Sequence, residues 1–173
     1  MKVKLKDGRE VEFRQPEEKD AEKLQKFINA LVEEETFILM NEKMSLEKER
    51  KWLKEELKKI ENEDVIMILA EVEGKIVGNC DIERKRGRSS HVGNFGITVA
   101  KTWRDAGLGT ELMKAVLEKA KEMFEIIEIN VFANNKRARH LYKKMGFKEE
   151  AVLPRRIKMK GEYVDSVVMS REP

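Results

Sequence analysis

A chain of 173 residues with 40% apolar content is long enough for one packed domain and too apolar to be disordered. Charged residues make up another 40% and nearly cancel, 36 basic against 33 acidic, so the net charge of +3 lacks the clustered excess of a nucleic-acid binder. The longest strongly apolar run, Val65 to Ala70, is far short of the ~20 residues of a bilayer span, and one cysteine, Cys80, excludes an internal disulfide, a CxxC pair and a multi-cysteine zinc site. In chain order, residues 2–14 read as a β-hairpin: Val3 and Leu5 alternate with lysines, Asp7-Gly8 supplies the turn, and Val11 and Phe13 alternate on the return. Pro16-Glu17-Glu18 opens a helix carrying Ala21, Leu24, Phe27, Ile28 and Leu31 at helical spacing. Phe37 to Met40 is a short apolar connector. Ser45 is placed to cap a second helix, with Leu46, Leu53, Leu57 and Ile60 on one face.

The period then changes from helix to strand. Val65–Val72, Ile76–Glu83 and His91–Ala100 read as strands, the first pair joined at Glu73-Gly74 and the second by a loop around Gly87. A helix is expected from about Leu108 to Phe124, then a β-branched strand from Ile126 to Ala133. Asn134 or Asn135 caps a last helix, whose Ala138, Leu141, Tyr142 and Met145 share a face and which Gly146 ends. Two strands, near Ala151–Met159 and Glu162–Ser170, meet at Lys160-Gly161. The reading is one α/β domain over residues 1–173: a single mixed, mostly antiparallel sheet of about seven strands with helices on both faces.

The segment from Val99 to Thr110 joins a strand to a helix and puts Gly107 and Gly109 at the helix start. Unpaired N–H groups there, with the helix dipole, suit an anion such as a pyrophosphate, and glycine lets a phosphate approach without meeting a Cβ. Two familiar phosphate loops fail. A Rossmann turn needs a third glycine where Leu112 stands, and a Walker A loop needs lysine where Thr110 follows Gly109.

Arg104-x-x-Gly107-x-Gly109, five residues after Val99, resembles the coenzyme A pyrophosphate motif of the GCN5-related N-acetyltransferases, the GNAT family. Asn135-x-x-Ala138-x-x-Leu141-Tyr142-x-x-x-Gly146-Phe147 resembles the same family's second signature, and the elements around both follow the family's order. His91 to Val99 and Gly161-Glu162-Tyr163-Val164-Asp165 resemble its YhhY-type branch of amino-acid and small-amine acetyltransferases.

The resemblance implies an enzyme that moves acetyl from acetyl-coenzyme A, as cosubstrate, directly to a primary amine of a free amino acid or small amine, with no metal. It implies that the backbone of Arg104, Asp105, Ala106, Gly107, Leu108, Gly109 and Thr110 holds the pyrophosphate. The pantetheine arm would pair with the strand carrying Ile97 and Val99, which splays from Ile126–Ala133. The Val99 N–H would stabilise the oxyanion. Asn130, Asn135 and Tyr142 would also line the coenzyme site, and Tyr142 would act as general acid. Lys101, Arg104, Lys136 and Arg139 are cations near enough in sequence to favour phosphates. Acetylation of protein N-termini, or silent acyl-coenzyme A binding, are the alternatives.

The general base is less legible. Asn94 and Asn130 stand where related chains carry carboxylates, and an amide cannot accept the proton. An ordered water is the expected relay, with His91, Glu83 and Asp81 as the remaining side chains. Cys80 reads as a small buried hydrophobe. Trp52 and Trp103 read as packing residues, His140 as a helix-surface residue, and Arg84-Lys85-Arg86-Gly87-Arg88 as a solvated loop. The 27 glutamates and 24 lysines against two glutamines suggest a thermophile. With no apolar stretch behind Met1-Lys2-Val3-Lys4-Leu5-Lys6, the expected setting is cytoplasmic, without membrane or nucleic-acid partners. A homodimer is left open.

Overall fold

A computed structural model describes residues 1–173. β1 (Lys2–Lys4) and β2 (Glu10–Arg14) form the expected hairpin, turning at Gly8 with φ +87°. A single 3-10 turn, Glu18–Asp20, occupies the start predicted for the first helix, so α1 proper runs Ala21–Glu33. Ser45 does cap α2 (Leu46–Glu61), its hydroxyl accepting from the Lys48 amide at 3.3 Å. Then follow β3 (Val65–Val72), β4 (Lys75–Arg84), β5 (Val92–Val99), α3 (Leu108–Ala120), β6 (Ile126–Phe132), α4 (Lys136–Lys144), β7 (Lys148–Met159) and β8 (Glu162–Arg171). α3 stops short of the predicted Phe124. Both the Met123 and Phe124 amides bond the Ala120 carbonyl there, and Phe124 turns inward as a buried residue.

All eight strands join one sheet in the order β1-β2-β3-β4-β5-β6-β8-β7, one more than the seven or so expected. Every neighbouring pair is antiparallel except β5 and β6, the parallel pair that the strands around α3 were expected to form. Alternation along β3 explains its unbroken apolar run. Val65, Met67 and Leu69 face α1 and α2, packing with Leu24, Phe27, Leu31 and Leu53, while Ile66, Ile68 and Ala70 face α3 with Leu112, Met113 and Val116. Trp52, read as a packing residue, is instead 36% exposed, since Leu53 takes the inward position of that turn.

One irregularity positions everything that follows. β5 and β6 are paired only from Val92 to Asn94 against Ile126 to Glu128, yet β5 continues to Val99 and β6 to Phe132. Above that point β5 stays with β4 through Gly78 opposite Val99, and β6 stays with β8 through Phe132 opposite Ser166. The sheet therefore opens as a wedge between two otherwise neighbouring strands.

Candidate active site

The wedge leaves one strand edge unpaired, and the register says which groups face it. The Ala100 amide donates to the Val77 carbonyl at 2.9 Å, so even-numbered residues at this end of β5 bond to β4. Odd-numbered Ile97 and Val99 must then aim their N–H and C=O groups into the gap. An extended chain laid there would find the Ile97 backbone and the Val99 N–H open, while the Val99 carbonyl already accepts from Arg104 Nε.

At the top of the gap stands the N-terminus of α3. Its first internal bond runs from the Glu111 amide to the Gly107 carbonyl at 3.1 Å, so the amides of Leu108, Gly109 and Thr110 have no partner within the helix. Gly107 takes φ +90°, which a side chain resists, and Asp105 bends the loop at φ +67°. A Cβ on Gly109 would point at Leu141, Ile97 and Val99, 3.5–3.9 Å away, so the missing side chain keeps the gap's mouth open. Ala106 and Leu108 are buried, which leaves only their backbone available. The tip of the β1–β2 hairpin braces this loop: Arg9 donates to the Thr102 carbonyl at 3.1 Å and lies over the Trp103 ring at 4.0 Å. These unpaired amides and the open wedge fit a ligand with an anionic head and a long amide-bearing arm.

The cations separate into two kinds. Arg104 has its side chain turned away from the helix end, donating from Nε to the Val99 carbonyl at 3.0 Å and forking onto Glu34. Arg139 is committed to Glu149 and the Ala133 carbonyl. Neither guanidinium is free for a phosphate. Lys101 and Lys136 are exposed, and Arg137, not singled out from the sequence, bridges to Asp105 at 3.0 Å across the mouth. Asn135 spends its side-chain oxygen on capping α4, accepting from the Ala138 amide at 3.1 Å, which leaves its NH2 free. Asn130 is exposed and projects from the opposite face of β6 from Ile129 and Val131, away from α3.

Tyr142 sits on α4 with 5% exposure, its ring against Phe95 and Phe147 at 6.2 and 5.9 Å. Burial raises its phenol, so the hydroxyl stays protonated across the physiological range. Cys80 is fully buried, and burial also pushes its thiol up, which removes the thiolate a nucleophile would need.

The face under α1 and α2 carries a second group of polar residues. Strand alternation puts Asn79, Asp81 and Glu83 of β4 on this face, opposite Thr98, Gly96 and Asn94 of β5. Asp81 is pushed up to about 7, first by burial and then by the negative charges of Glu56 and Glu83. A donation from Asn79 at 3.3 Å and the charge of Lys59 oppose that rise. Gly96 makes room for Asp81: a Cβ there would come within 3.2 Å of its carboxylate. Lys59 holds Glu56 and Glu83 at 2.7 and 2.8 Å, and Asn79 Oδ1 is enclosed without a partner. His91 is exposed at the far end of β5, about 26 Å along the strand from Val99. Glu56 was missed from the sequence, although it falls on α2 between Leu53 and Ile60 at helical spacing. His140 is exposed as expected, and Arg84 is structural, donating to the Ser90 carbonyl at 2.8 Å and lying over Phe124.

Residues 24–147 match the family model described as "Acetyltransferase (GNAT) family". The L-amino acid N-acetyltransferase AaaT of Escherichia coli is 36% identical over 107 residues, 60% of this chain and 66% of its own. An N-alpha-acetyltransferase of Sulfurisphaera tokodaii is 33% identical over 103 residues, 52% of this chain and 60% of its own. The matches thus span less than two thirds of either relative. A crystal structure of a GNAT-family acetyltransferase from Streptococcus pneumoniae superposes with a TM-score of 0.84 at 28% identity, covering 94% of this chain and 99% of that one.

Proposed function

Because the chain belongs to the acetyltransferase (GNAT) family, we propose that it transfers acetyl from acetyl-coenzyme A to the primary α-amine of a free amino acid or small amine. The observation that carries this reading is the wedge between β5 and β6, with unpaired amides at its head and the Val99 N–H along its edge. Acetyl-coenzyme A would supply the activated acetyl thioester there. The Leu108, Gly109 and Thr110 amides bind the pyrophosphate, and the backbone of Ile97 and Val99 holds the pantetheine arm. The Val99 N–H donates to the carbonyl oxygen where negative charge collects. Tyr142, protonated and facing Phe95 of β5, gives a proton to the departing sulfur.

Asp81 is the proposed acceptor of the amine's proton, reached through water. It lies three residues down β4 from the Val99 row, about 10 Å, whereas Glu83 lies about 17 Å away and is tied to Lys59. A base at about 7 suits an α-amine near ~8 far better than a lysine amine near ~10.4, and that difference favours α-amino acceptors. The name of the Escherichia coli relative, an L-amino acid N-acetyltransferase, supports the same acceptor class. The sealed thiol of Cys80 supports direct transfer over a thiol-linked intermediate. The name of the Sulfurisphaera relative supports a second reading, acetylation of protein N-termini. A steady-state assay over amino acids, polyamines and N-terminal peptides separates them. Turnover of free amino acids is expected, and turnover confined to peptides would replace the first reading with the second.

A further inference from the structure

We infer that Glu34 is a positioning residue for the acetyl group, acting through Arg104 on the end of β5. This inference rests on the function proposed above. Three consecutive glutamates, Glu33 to Glu35, stand at the C-terminal end of α1, where the helix dipole disfavours negative charge and no basic residue occupies the last turn. Helix stability does not account for Glu34. Its partner does: both carboxylate oxygens engage Arg104, the Nη2 bond measuring 2.8 Å, and both side chains are only 22% exposed.

Arg104 uses the rest of its fork on the backbone. Nε donates to the Val99 carbonyl at 3.0 Å, and Arg104 itself begins the loop that leads to the unpaired amides of α3. The guanidinium therefore closes a short ring between the strand end and the phosphate loop. That ring fixes the end of β5, and with it the direction of the Val99 N–H that the thioester carbonyl must meet. It also caps the Val99 carbonyl, whose negative end would otherwise face the gap beside the oxygen that gathers charge. Glu34 fixes the ring to α1, the helix that covers the opposite, amine-accepting face. Only a planar fork can hold a carbonyl and a bidentate carboxylate at once, so lysine cannot substitute.

Loosening the brace leaves the phosphate amides untouched but frees the strand end. Misplacement of a reacting group by about 1 Å costs roughly a hundredfold in rate. Glu34→Gln and Arg104→Lys should therefore lower kcat by about 10- to 100-fold. The Kd for acetyl-coenzyme A should change less than about threefold in both, because the binding amides are main chain. A probe independent of the acceptor is the carbonyl resonance of bound [1-13C]acetyl-coenzyme A. It should move downfield from the free value in the parent and return toward it in Glu34→Gln. Unchanged resonance and kcat in Glu34→Gln, or a loss that appears wholly as weaker coenzyme binding, overturns the brace. A parent chain that binds no acetyl-coenzyme A overturns the proposed function instead. Should Arg104→Lys fail to fold, Glu34→Gln alone decides.

Discussion

Asp81→Asn should make the protein more stable and the enzyme worse. The folded chain holds this carboxyl at about 7 against an ordinary 3.8, so between those values the folded state binds a proton that the unfolded state has lost. Stability contributed by the protonated form is therefore complete below 3.8 and disappears as pH rises through about 7. At about 1.4 kcal/mol per unit, the stability lost relative to acid pH is about 2 kcal/mol at pH 5, where folding takes up a proton, and about 4 kcal/mol at pH 8, where the folded carboxyl is itself ionised. An amide at this position carries no charge to desolvate and can donate to Asn79 Oδ1, which is enclosed without a partner. Thermal unfolding at pH 8 should shift upward by on the order of 10 °C, and by about half as much at pH 5. The parent's kcat/KM should rise with pH through about 7, the value at which Asp81 ionises. In the variant that limb should vanish and kcat fall by roughly a hundredfold or more. Glu49 supplies the control. Burial alone pushes it up to about 7, it lies on α2 seven residues before Glu56, and Glu49→Gln should stabilise at pH 8 without touching the pH–rate profile. An Asp81→Asn enzyme with the parent's rate and pH profile would refute the proton-acceptor role. One that gains no stability at pH 8 would refute the electrostatic argument beneath it.

Tyr142→Phe should lower kcat by roughly ten- to a thousandfold in single-turnover assays, with acetyl-coenzyme A affinity nearly unchanged; full activity would return Tyr142 to the aromatic core with Phe95 and Phe147. Gly109→Leu should abolish the calorimetric signal for coenzyme A, because its side chain would project toward Ile97, Val99 and Leu141; normal affinity would contradict the placement of the arm. Arg14→Met should cost about 3–5 kcal/mol in denaturant unfolding. It removes the cation that holds fully buried Asp20 at 2.6 and 2.7 Å and Glu71 through Nε at 2.8 Å, and a loss below about 1 kcal/mol would refute that reading.

The fold was legible where local pattern decides it. The Ser45 cap, the Gly8 turn and the β-branched run after Ile126 each signal their element within a few residues. The two glycines marked the open start of α3 for the same reason, since the requirement they meet is local. Side-chain commitments were not legible, because they depend on partners far along the chain. Arg104 is drawn off by Glu34, 70 residues away, and Arg139 by Glu149 across a turn. Asp81 stood in the sequence beside His91 and Glu83 as one of three candidate bases, with nothing to choose among them. Only the sheet register brings it beneath α2 with Glu56 and opposite Gly96, where burial and like charge raise its pKa. A trace of this was present in the sequence: Asn79, Asp81 and Glu83 alternate with Cys80 and Ile82 in a strand covered on both faces.

A crystal structure of the chain with acetyl-coenzyme A tests the central claim most directly. The account predicts the pantetheine arm between β5 and β6, its amides paired with Ile97 and Val99, the thioester oxygen on the Val99 N–H and the pyrophosphate on the Leu108–Thr110 amides. Coenzyme bound elsewhere, or a wedge closed by continued pairing of β5 with β6 beyond Asn94, would contradict it.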